Sequence, residues 1–313
     1  MLSVLVVTAM YPSAARPGYG AFVKHQVDAL RAKGCMVDVI DFPGYRSKYE
    51  YLKAARRVYV QTRRKRYSIV HAHYGVTFVA CLARNATPLV MTLHGSDVLQ
   101  SRIERQISRM ASKVACATIV ASPEMARHVR GVVIPCGVDL SLFSPIPRER
   151  AREKLGLRQE RKYVLFPFNP QRRVKRFDLA SAAVQMLVDE GQDLEILTVS
   201  DVHFTEMPWY YSAADAMILC SESEGSPTSV KEALACNLPV VSTEVGDVRE
   251  IFCSMAGLEI AGPSLEALGA ALRRVLFPDA PRTCEFRDSM RRYSQEATAE
   301  RILDVYRRVI GAA

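Results

Sequence analysis

Two carboxylates stand eight positions apart in the segment EGSPTSVKEALACNLPVV, which runs from residue 224 to residue 241. Glu224 precedes a predicted turn, and Glu232 falls in the first turns of a predicted helix. The residues between them are short or favour turns and caps: Gly225, Ser226, Pro227, Thr228 and Ser229. Backbone amide groups at a helix start attract phosphate, and a carboxylate one turn further can accept hydrogen bonds from a ribose diol. The segment therefore predicts a nucleotide-sugar site.

The other interpretation of this segment is that both glutamates are solvated residues of a surface helix. Two features favour the site. Val230, Ala233 and Leu234 give the predicted helix an apolar face. Asn237 stands where a left-handed residue ends a helix, and a buried strand is predicted from 239 to 242.

Histidines and an aspartate end two further predicted strands. His94 and Asp97 lie in LHGSD, and His71 and His73 lie in VHAHYG. A sugar or acceptor contact is one role for these residues, and a buried structural histidine is the alternative. No carboxylate or cysteine stands at ligand spacing from the histidine pair, so we predict no metal site here.

Two loops carry groups suited to phosphate. Gly18 and Gly20 follow the first strand and allow close backbone approach before a helix that begins near Ala21. The loop FNPQRRVKRFD follows the first strand of the second half and supplies Arg173 and Lys175, which can neutralise a diphosphate leaving group. A plain glycine loop and a basic surface loop are the alternatives.

Apolar runs alternate with helical patterns along the whole chain, which predicts parallel, doubly wound α/β sheets. We place an N-terminal domain at 1–150, completed by a helix at 297–313, and a C-terminal domain at 151–296. A polar link at 144–162 joins them. Ten strands are predicted, at Leu2–Thr8, Met36–Phe42, Ile69–Ala72, Leu89–Leu93, Ala115–Ala121, Val132–Ile134, Tyr163–Phe168, Leu194–Val199, Ala216–Cys220 and Pro239–Ser242.

Charge is distributed unevenly between the two halves. Residues 1–150 contain 22 Lys and Arg against 9 Asp and Glu, whereas the whole chain has a net charge of +9. Much of the excess lies at 53–66 on a predicted amphipathic helix. This pattern predicts either a solvated basic face or contact with an anionic membrane or acidic acceptor. The eight cysteines show no metal-ligand spacing and are expected to be reduced thiols.

The two-glutamate segment resembles the donor-site signature of the family-4 retaining glycosyltransferases: a glutamate, seven residues, and a second glutamate followed by Ala-x-Ala. The resemblance extends to the glycine loop, to LHGSD, to the hinge-like run from Val133 to Phe143 and to the basic loop. It departs from the family at two positions, since Arg176 replaces a glycine after Lys175 and Asp247 replaces the second glycine of a Gly-Gly pair. The motif wording is most similar to bacterial cell-surface polysaccharide members of the teichuronic-acid type.

The resemblance implies a GT-B fold with two Rossmann-like domains facing a central cleft, and it implies site roles. Glu224, His94, Lys175 and Arg173 are expected to be catalytic. Glu232 and the turn residues, with Gly18 and Gly20, would bind the donor. Asp97 and His73 would contact sugar or acceptor.

The resemblance also implies the reaction. It is sugar transfer with retained configuration from a nucleotide sugar, most commonly a UDP-sugar, to a lipid-linked or saccharide hydroxyl. No cofactor is expected, and no metal either, because the sequence has no Asp-x-Asp that would hold a divalent ion beside a nucleotide. A nucleotide-sugar 2-epimerase and a non-catalytic nucleotide-sugar-binding subunit remain alternatives. A nucleic-acid partner is not expected, because no recognition module is present. The opening MLSVLVVTAM fits a buried strand better than a signal peptide, and the cysteines fit reduced thiols, so a cytoplasmic protein is expected. If the basic half contacts an anionic surface, the protein would be peripheral on the inner face of the membrane.

Overall fold

A computed structural model describes residues 1–13, 16, 18–200, 202–253, 255–278 and 285–312. The chain forms two compact units, one of residues 1–137 with 295–313 and one of residues 138–294. The predicted junction lies at residue 150, whereas the units divide after Gly137 and again before Gln295. Among the described residues, no helix has the length and apolar character needed to span a bilayer.

The first unit is a six-stranded parallel sheet in the order β2-β1-β3-β4-β5-β6. Helices connect successive strands, and the last helix of the chain returns to this unit. The strands are β1 Ser3–Thr8, β2 Met36–Asp41, β3 Ile69–His73, β4 Leu89–Leu93, β5 Ala117–Val120 and β6 Val132–Val133. The helices are α1 Ala21–Ala32, α2 Tyr49–Arg64, α3 Phe78–Cys81, α4 Ser96–Leu99, α5 Arg102–Val114, α6 Pro123–Ala126 and, at the C-terminus, α13 Gln295–Gly311.

The second unit is a five-stranded parallel sheet in the order β11-β10-β9-β7-β8. Its strands are β7 Lys162–Phe166, β8 Leu194–Thr198, β9 Ala216–Leu219, β10 Val240–Ser242 and β11 Glu259–Ile260. Its helices are α7 Arg148–Leu155, α8 Phe177–Asp189, α9 Met207–Ala213, α10 Thr228–Ala235, α11 Val248–Phe252 and α12 Leu265–Leu276. Short 3-10 helices lie at Gly75–Thr77, Arg173–Lys175, Phe204–Glu206 and Arg287–Tyr293.

Each sheet is buried on both faces, as alternate side chains of its central strands show. In β1, Val4 and Val6 join one apolar cluster while Leu5 and Val7 join another. In β7, Leu165 lies in one cluster, and its neighbours on either side lie in a second cluster. Parallel strands covered by helices on both faces read as continuous apolar runs, which is why the sequence predicts them.

The predicted polar link is partly helical. Helix α7 forms within it although its sequence, RERAREKL, has no broad apolar face. Arg152 anchors this helix, because its buried guanidinium donates to the carbonyl of Ala213 at 3.0 Å and pairs with Asp215 at 2.7 Å. Asp215 also accepts from the backbone amide of Tyr163 at 2.7 Å. A buried ion pair with partner hydrogen bonds therefore fixes the link, where the sequence predicts only exposed charge.

Cysteines in the described part of the chain are free, whereas Cys284 lies outside the described residues. Cys35, Cys81, Cys220 and Cys236 are buried as small apolar side chains.

Asn237 offers a direct test of the turn after α10. Its φ of 60° confirms the predicted left-handed conformation, and its side-chain oxygen accepts from the amide of Arg287 at 3.0 Å. Replacement by alanine keeps neither feature, so Asn237→Ala should lower the free energy of unfolding by about 2 kcal/mol in urea denaturation. Asn237→Gly removes only the hydrogen bond and should cost about half as much. Equal losses in the two variants would contradict this account.

Candidate active site

In both sheets the connections from the first and second strands run to opposite sides of the first strand. No connection therefore covers the carboxyl ends of the strands at that point. In the second unit this point lies between β7 and β9. Parallel sheets bind ligands at the carboxyl ends of their strands at such a point. The loop after β7 carries Lys175, and the loop after β9 carries Glu224. Topology alone thus brings together residues that are 49 positions apart.

Lys175 and Glu224 form a close ion pair at this point. The ammonium Nζ lies 2.5 Å from Glu224 Oε1, and the hydroxyl of Ser221 donates to the same oxygen at 2.6 Å. Lys175 is 6% exposed, and its Nζ also lies 3.8 Å from the centre of the Phe168 ring. Burial lowers the pKa of Lys175, and the neighbouring Glu224 carboxylate opposes that shift. The pair presents a desolvated cation beside a carboxylate, which suits an anionic leaving group.

Glu232 belongs to the same segment and lies one turn into α10. Its carboxylate accepts a hydrogen bond from the Tyr211 hydroxyl at 2.8 Å, and Thr228 also bonds to it. Burial raises the pKa of Glu232, whereas these two hydrogen bonds lower it. A carboxylate held in this way keeps a fixed orientation, as a group that binds a diol requires.

The turn before α10 has the predicted position but different capping. The helix begins at Thr228, Pro227 occupies the cap position, and no side chain caps the first turn. The predicted capping by Thr228 and Ser229 is therefore wrong, because both residues lie inside the helix. The first amide groups of a helix have no acceptor within it. Gly225, Ser226 and Pro227 lead the chain into this anion-attracting end.

The rest of the basic loop is more exposed than Lys175. Arg172 and Arg173 are exposed, which leaves Arg173 accessible to a ligand phosphate. Arg176 pairs with Asp178 at 2.8 Å and has φ 52° and ψ 53°. Arginine therefore adopts the left-handed conformation that a glycine favours, at the position where the resembling family has glycine.

In the first unit, the predicted histidines form a cluster at the ends of β3 and β4. His73 Nδ1 lies 3.0 Å from His94 Nε2 with the two rings stacked, and the His71 and His73 ring centres are 4.4 Å apart. Tyr306 and Thr92 bond the two nitrogens of His71 at 2.6 and 2.7 Å. His71 and His73 are fully buried, which gives them a structural part in holding His94.

The pattern of hydrogen bonds in this cluster determines which ring nitrogen of His94 carries the proton. The Gln26 amide nitrogen lies 3.3 Å from His73 Nε2, and an amide nitrogen can only donate. In this assignment His73 Nδ1 carries a proton and donates to His94 Nε2, so His94 is protonated on Nδ1. Burial lowers the pKa of His71 and His94 to about 3 and that of His73 well below its usual value. All three rings are therefore neutral near pH 7.

Asp97 shapes the loop that carries His94. Its fully buried carboxylate accepts from the amides of Gly75, His94 and Gly95, each at 3.0 Å. Burial raises the pKa of Asp97 to about 6, and these amide bonds oppose the shift. The carboxylate is occupied by backbone groups, which favours a positioning role over the direct sugar contact expected from sequence.

The glycine loop of the first unit leads into α1. Gly20 has φ 74°, and a Cβ there would lie 2.4 Å from the Met10 carbonyl, so only glycine fits without movement. Gly18 has open space around its α-carbon. The requirement for glycine is therefore steric at Gly20, whereas Gly18 leaves room for approach to the backbone.

The hinge-like run has the structural role predicted for it. Asp139 Oδ1 accepts from the amides of Ser141 and Leu142 at 2.9 and 3.1 Å. Arg287 donates to the Leu140 carbonyl at 2.6 Å and to the Phe143 carbonyl. A Cβ on Gly137 would lie 2.9 Å from the Gln295 α-carbon.

Within the second unit, the structure brings together Lys175, Glu224, Glu232 and the turn before α10. Within the first unit, it brings together His73, His94 and Asp97. The sequence does not predict Tyr211 and Lys231 as part of the site, although they donate hydrogen bonds directly to site residues. A lysine between apolar residues of α10, with an unusual aspartate at 247, was the available signal for Lys231.

Two family models match the chain. The model of Glycosyltransferase Family 4 matches residues 3–142, and the model of Glycosyl transferases group 1 matches residues 198–297. Together they cover most of both units.

The chain is also similar to curated glycosyltransferases. A glycosyltransferase assigned to teichuronic acid biosynthesis in Bacillus subtilis, TuaC, is 28% identical, with 87% of this chain and 89% of that protein covered. A D-inositol 3-phosphate glycosyltransferase of Geodermatophilus obscurus is 26% identical, with 77% of this chain and 66% of that protein covered.

Solved structures share the fold at low sequence identity. Sucrose-phosphate synthase from Thermosynechococcus elongatus has a TM-score of 0.83 at 19% identity, with both chains covered completely. Anabaena HepE, solved in complex with UDP and glucose, has a TM-score of 0.74 at 16% identity, with 98% of this chain and 100% of that chain covered. The family models, the two parallel Rossmann-like sheets and these structural matches agree: the chain belongs to the family-4 glycosyltransferases and has the GT-B fold class.

Proposed function

We propose that this protein is a retaining glycosyltransferase that transfers a hexosyl group from a nucleotide sugar to an acceptor hydroxyl. The observation that carries the proposal is the buried contact of Lys175 with Glu224, in the same unit as Glu232 and the start of α10. This group of residues supplies a cation for a diphosphate, amide groups for phosphate oxygens, and two carboxylates for sugar hydroxyls. A nucleotide sugar needs all three.

The relatives support the finer identity of donor and acceptor. HepE was solved with UDP and glucose, which favours UDP as the nucleotide. TuaC is assigned to teichuronic acid biosynthesis, which favours a role in cell-surface polysaccharide assembly with a lipid-linked or saccharide acceptor.

In the proposed reaction, the bond between the anomeric carbon and the diphosphate oxygen breaks, and the acceptor oxygen bonds to that carbon on the same face. The acceptor's hydroxyl proton passes to the departing phosphate oxygen. Lys175, Arg173 and the first amides of α10 stabilise the diphosphate, without a divalent metal. Glu224 stabilises the cationic sugar centre, and Glu232 binds the ribose diol.

The first unit contributes sugar and acceptor contacts in this proposal. His94 bonds a sugar hydroxyl as a neutral imidazole, His73 and Asp97 hold its loop, and the Gly18–Gly20 backbone approaches the donor or acceptor. The resembling family motivates each of these roles, and the local geometry described above is compatible with them.

We place the protein in the cytoplasm, and helix α2 supports its contact with the inner face of the membrane. Val58 on this helix is buried, as the predicted amphipathic pattern requires, whereas Leu52 and Tyr59 are exposed by 65% and 47%. A groove of about 650 Å³ on the same helix has mostly basic lining residues; it is lined by Lys53, Arg56, Arg57, Arg64 and Lys65, with Asp38, Val60, Gln61 and Tyr67. Exposed apolar side chains among cations are typical of helices that bind anionic lipid surfaces.

A donor screen tests the function directly. UDP-, GDP- and ADP-sugars are added to the purified protein and its melting temperature is measured; a UDP-sugar should raise it by several degrees, because a ligand of the folded state stabilises it. Glu232→Gln should reduce that rise, while Glu222→Gln, an exposed neighbour in the same loop, should leave it unchanged. No shift with any donor would refute the proposal. Product analysis with and without acceptor then separates a transferase from an epimerase or a non-catalytic subunit.

Glu224 is tested by its effect on turnover. Glu224→Gln keeps the size of the side chain but removes the charge that stabilises the sugar cation, so kcat should fall about 100-fold or more with a smaller change in donor KM. Steady-state kinetics with radiolabelled donor measures both constants. Glu222→Gln is again the matched control. A raised KM with unchanged kcat would instead make Glu224 a simple binding residue.

Membrane contact is tested by co-sedimentation with phosphatidylglycerol vesicles at low and high salt. Reversing three cations, in Arg56→Glu, Arg57→Glu and Arg64→Glu combined, should weaken binding by about 100-fold, since each basic residue near the surface contributes about 1 kcal/mol. A variant with the same charge change on exposed arginines of the second unit, at Arg158, Arg273 and Arg291, is the control. Equal losses in the two variants would show a non-specific charge effect.

A further inference from the structure

A second buried ion pair lies beneath the turn that precedes α10. Lys231 is 0% exposed and its Nζ lies 2.9 Å from Asp247 Oδ2. The hydroxyl of Ser226, in the turn itself, donates to the same Asp247 oxygen at 2.9 Å, and Lys231 Nζ donates to Ser226 Oγ at 2.7 Å. The three side chains therefore form a closed triangle that includes one residue of the turn.

The loop that carries Asp247 also packs on the backbone of the turn. Gly246 has φ 60°, and a Cβ there would lie 3.0 Å from the Gly225 carbonyl oxygen and 3.3 Å from that of Glu224. Asp247 is thus placed by a close backbone approach, and it lies directly before the short helix α11, at the cap position. Gly246 thus packs on the backbone of the turn, and the next residue, Asp247, holds the turn through a charged hydrogen bond.

This ion pair is a poor device for stability alone. Removing two charges from water is costly, and apolar replacements of buried pairs are often neutral or stabilising. Asp247 Oδ1 is buried and has no hydrogen-bond partner among the described residues, which adds to that cost. Asp215 differs, because both of its oxygens are bonded, one to Arg152 and Tyr163 and the other to Arg148. The cost of burying the Lys231 pair therefore favours a role other than stability for it.

We propose that Lys231 and Asp247 are positioning residues that hold the Glu224–Pro227 turn and the first turn of α10 in the conformation that binds the donor. The inference rests on the proposed function, since it names what orders the proposed donor site. Lys231 neighbours Glu232 in sequence, and Asp247 neighbours Gly246, so both groups act through the backbone of site residues. Neither side chain needs to touch the donor.

Donor affinity in three variants tests this role. Binding of UDP to the full-length protein is measured by isothermal titration calorimetry, at a temperature at least 10 °C below the lowest melting temperature of the set. Lys231→Met should weaken UDP binding at least tenfold. The double variant Lys231→Met with Asp247→Gly removes both buried charges, so it should recover most of the melting temperature lost in the single variant but not the affinity.

Arg152→Met is the control, since it removes a buried cation from the same unit and takes one ion-pair partner from a buried carboxylate, Asp215, which keeps its contact with Arg148. It should also lower the melting temperature, while changing UDP affinity less than threefold. Wild-type affinity in Lys231→Met or in the double variant would overturn the positioning role, as would an equal loss of affinity in Arg152→Met. If the wild-type protein binds neither UDP nor any sugar nucleotide, the proposed function fails first and this inference falls with it.

Discussion

Strand order is the constraint on which the candidate site depends. In each sheet the first strand lies between the second and the third, so the connections leave in opposite directions and the ends of two strands remain uncovered. In one unit the loops that follow these strands carry Lys175 and Glu224, and in the other unit His73 is the last residue of β3. Side chains that are far apart in sequence meet because parallel strands end at the same edge.

Buried ion pairs are the second organising feature, and the described residues of the second unit form three of them. Lys175 meets Glu224 beside the strand ends, Lys231 meets Asp247 below the turn, and Arg152 meets Asp215 at the link helix. Each pair joins two segments that are apart in the sequence. Burying its charges costs desolvation free energy, and the pair aligns the two segments with each other. Two of the three pairs converge on the segment around Glu224. The candidate site is therefore held by buried ion pairs on two sides of this segment.

Much of the fold follows from the sequence because buried parallel strands leave a strong pattern. Ten strands are predicted within two residues of their observed ends, and Asn237 ends α10 as expected. Strand β11 is not predicted, since it has only two residues, Glu259 and Ile260, and both are half-buried. Helix α7 is not predicted as a packed element, because its anchor is an arginine. Capping by Thr228 was the natural expectation from residue type, and Pro227 takes that position instead.

The candidate site is predicted less completely. Motif residues such as Glu224 and Glu232 are identified by type and spacing, but their partners are long-range. Tyr211 is 21 positions from Glu232, and the stacking of His73 on His94 joins separate strands. Local pattern contains no information on such contacts. Lys231 illustrates the limit, since a lysine on a short helix is normally expected at the surface.

The histidine cluster ties the first unit's stability to acid. In the folded protein the pKa of His71 and of His94 lies at about 3, whereas an unfolded histidine titrates near 6.5. Between these values the three histidines of the unfolded chain take up protons that those of the folded chain do not. Asp97 acts in the opposite direction, because burial raises its folded pKa to about 6, but it is one group against three. The free energy of the unfolded chain therefore falls relative to the folded state, and the stability present above pH 6.5 declines as the pH drops toward 3. The buried rings that hold His94 in place thus make the folding stability of the first unit sensitive to mild acid.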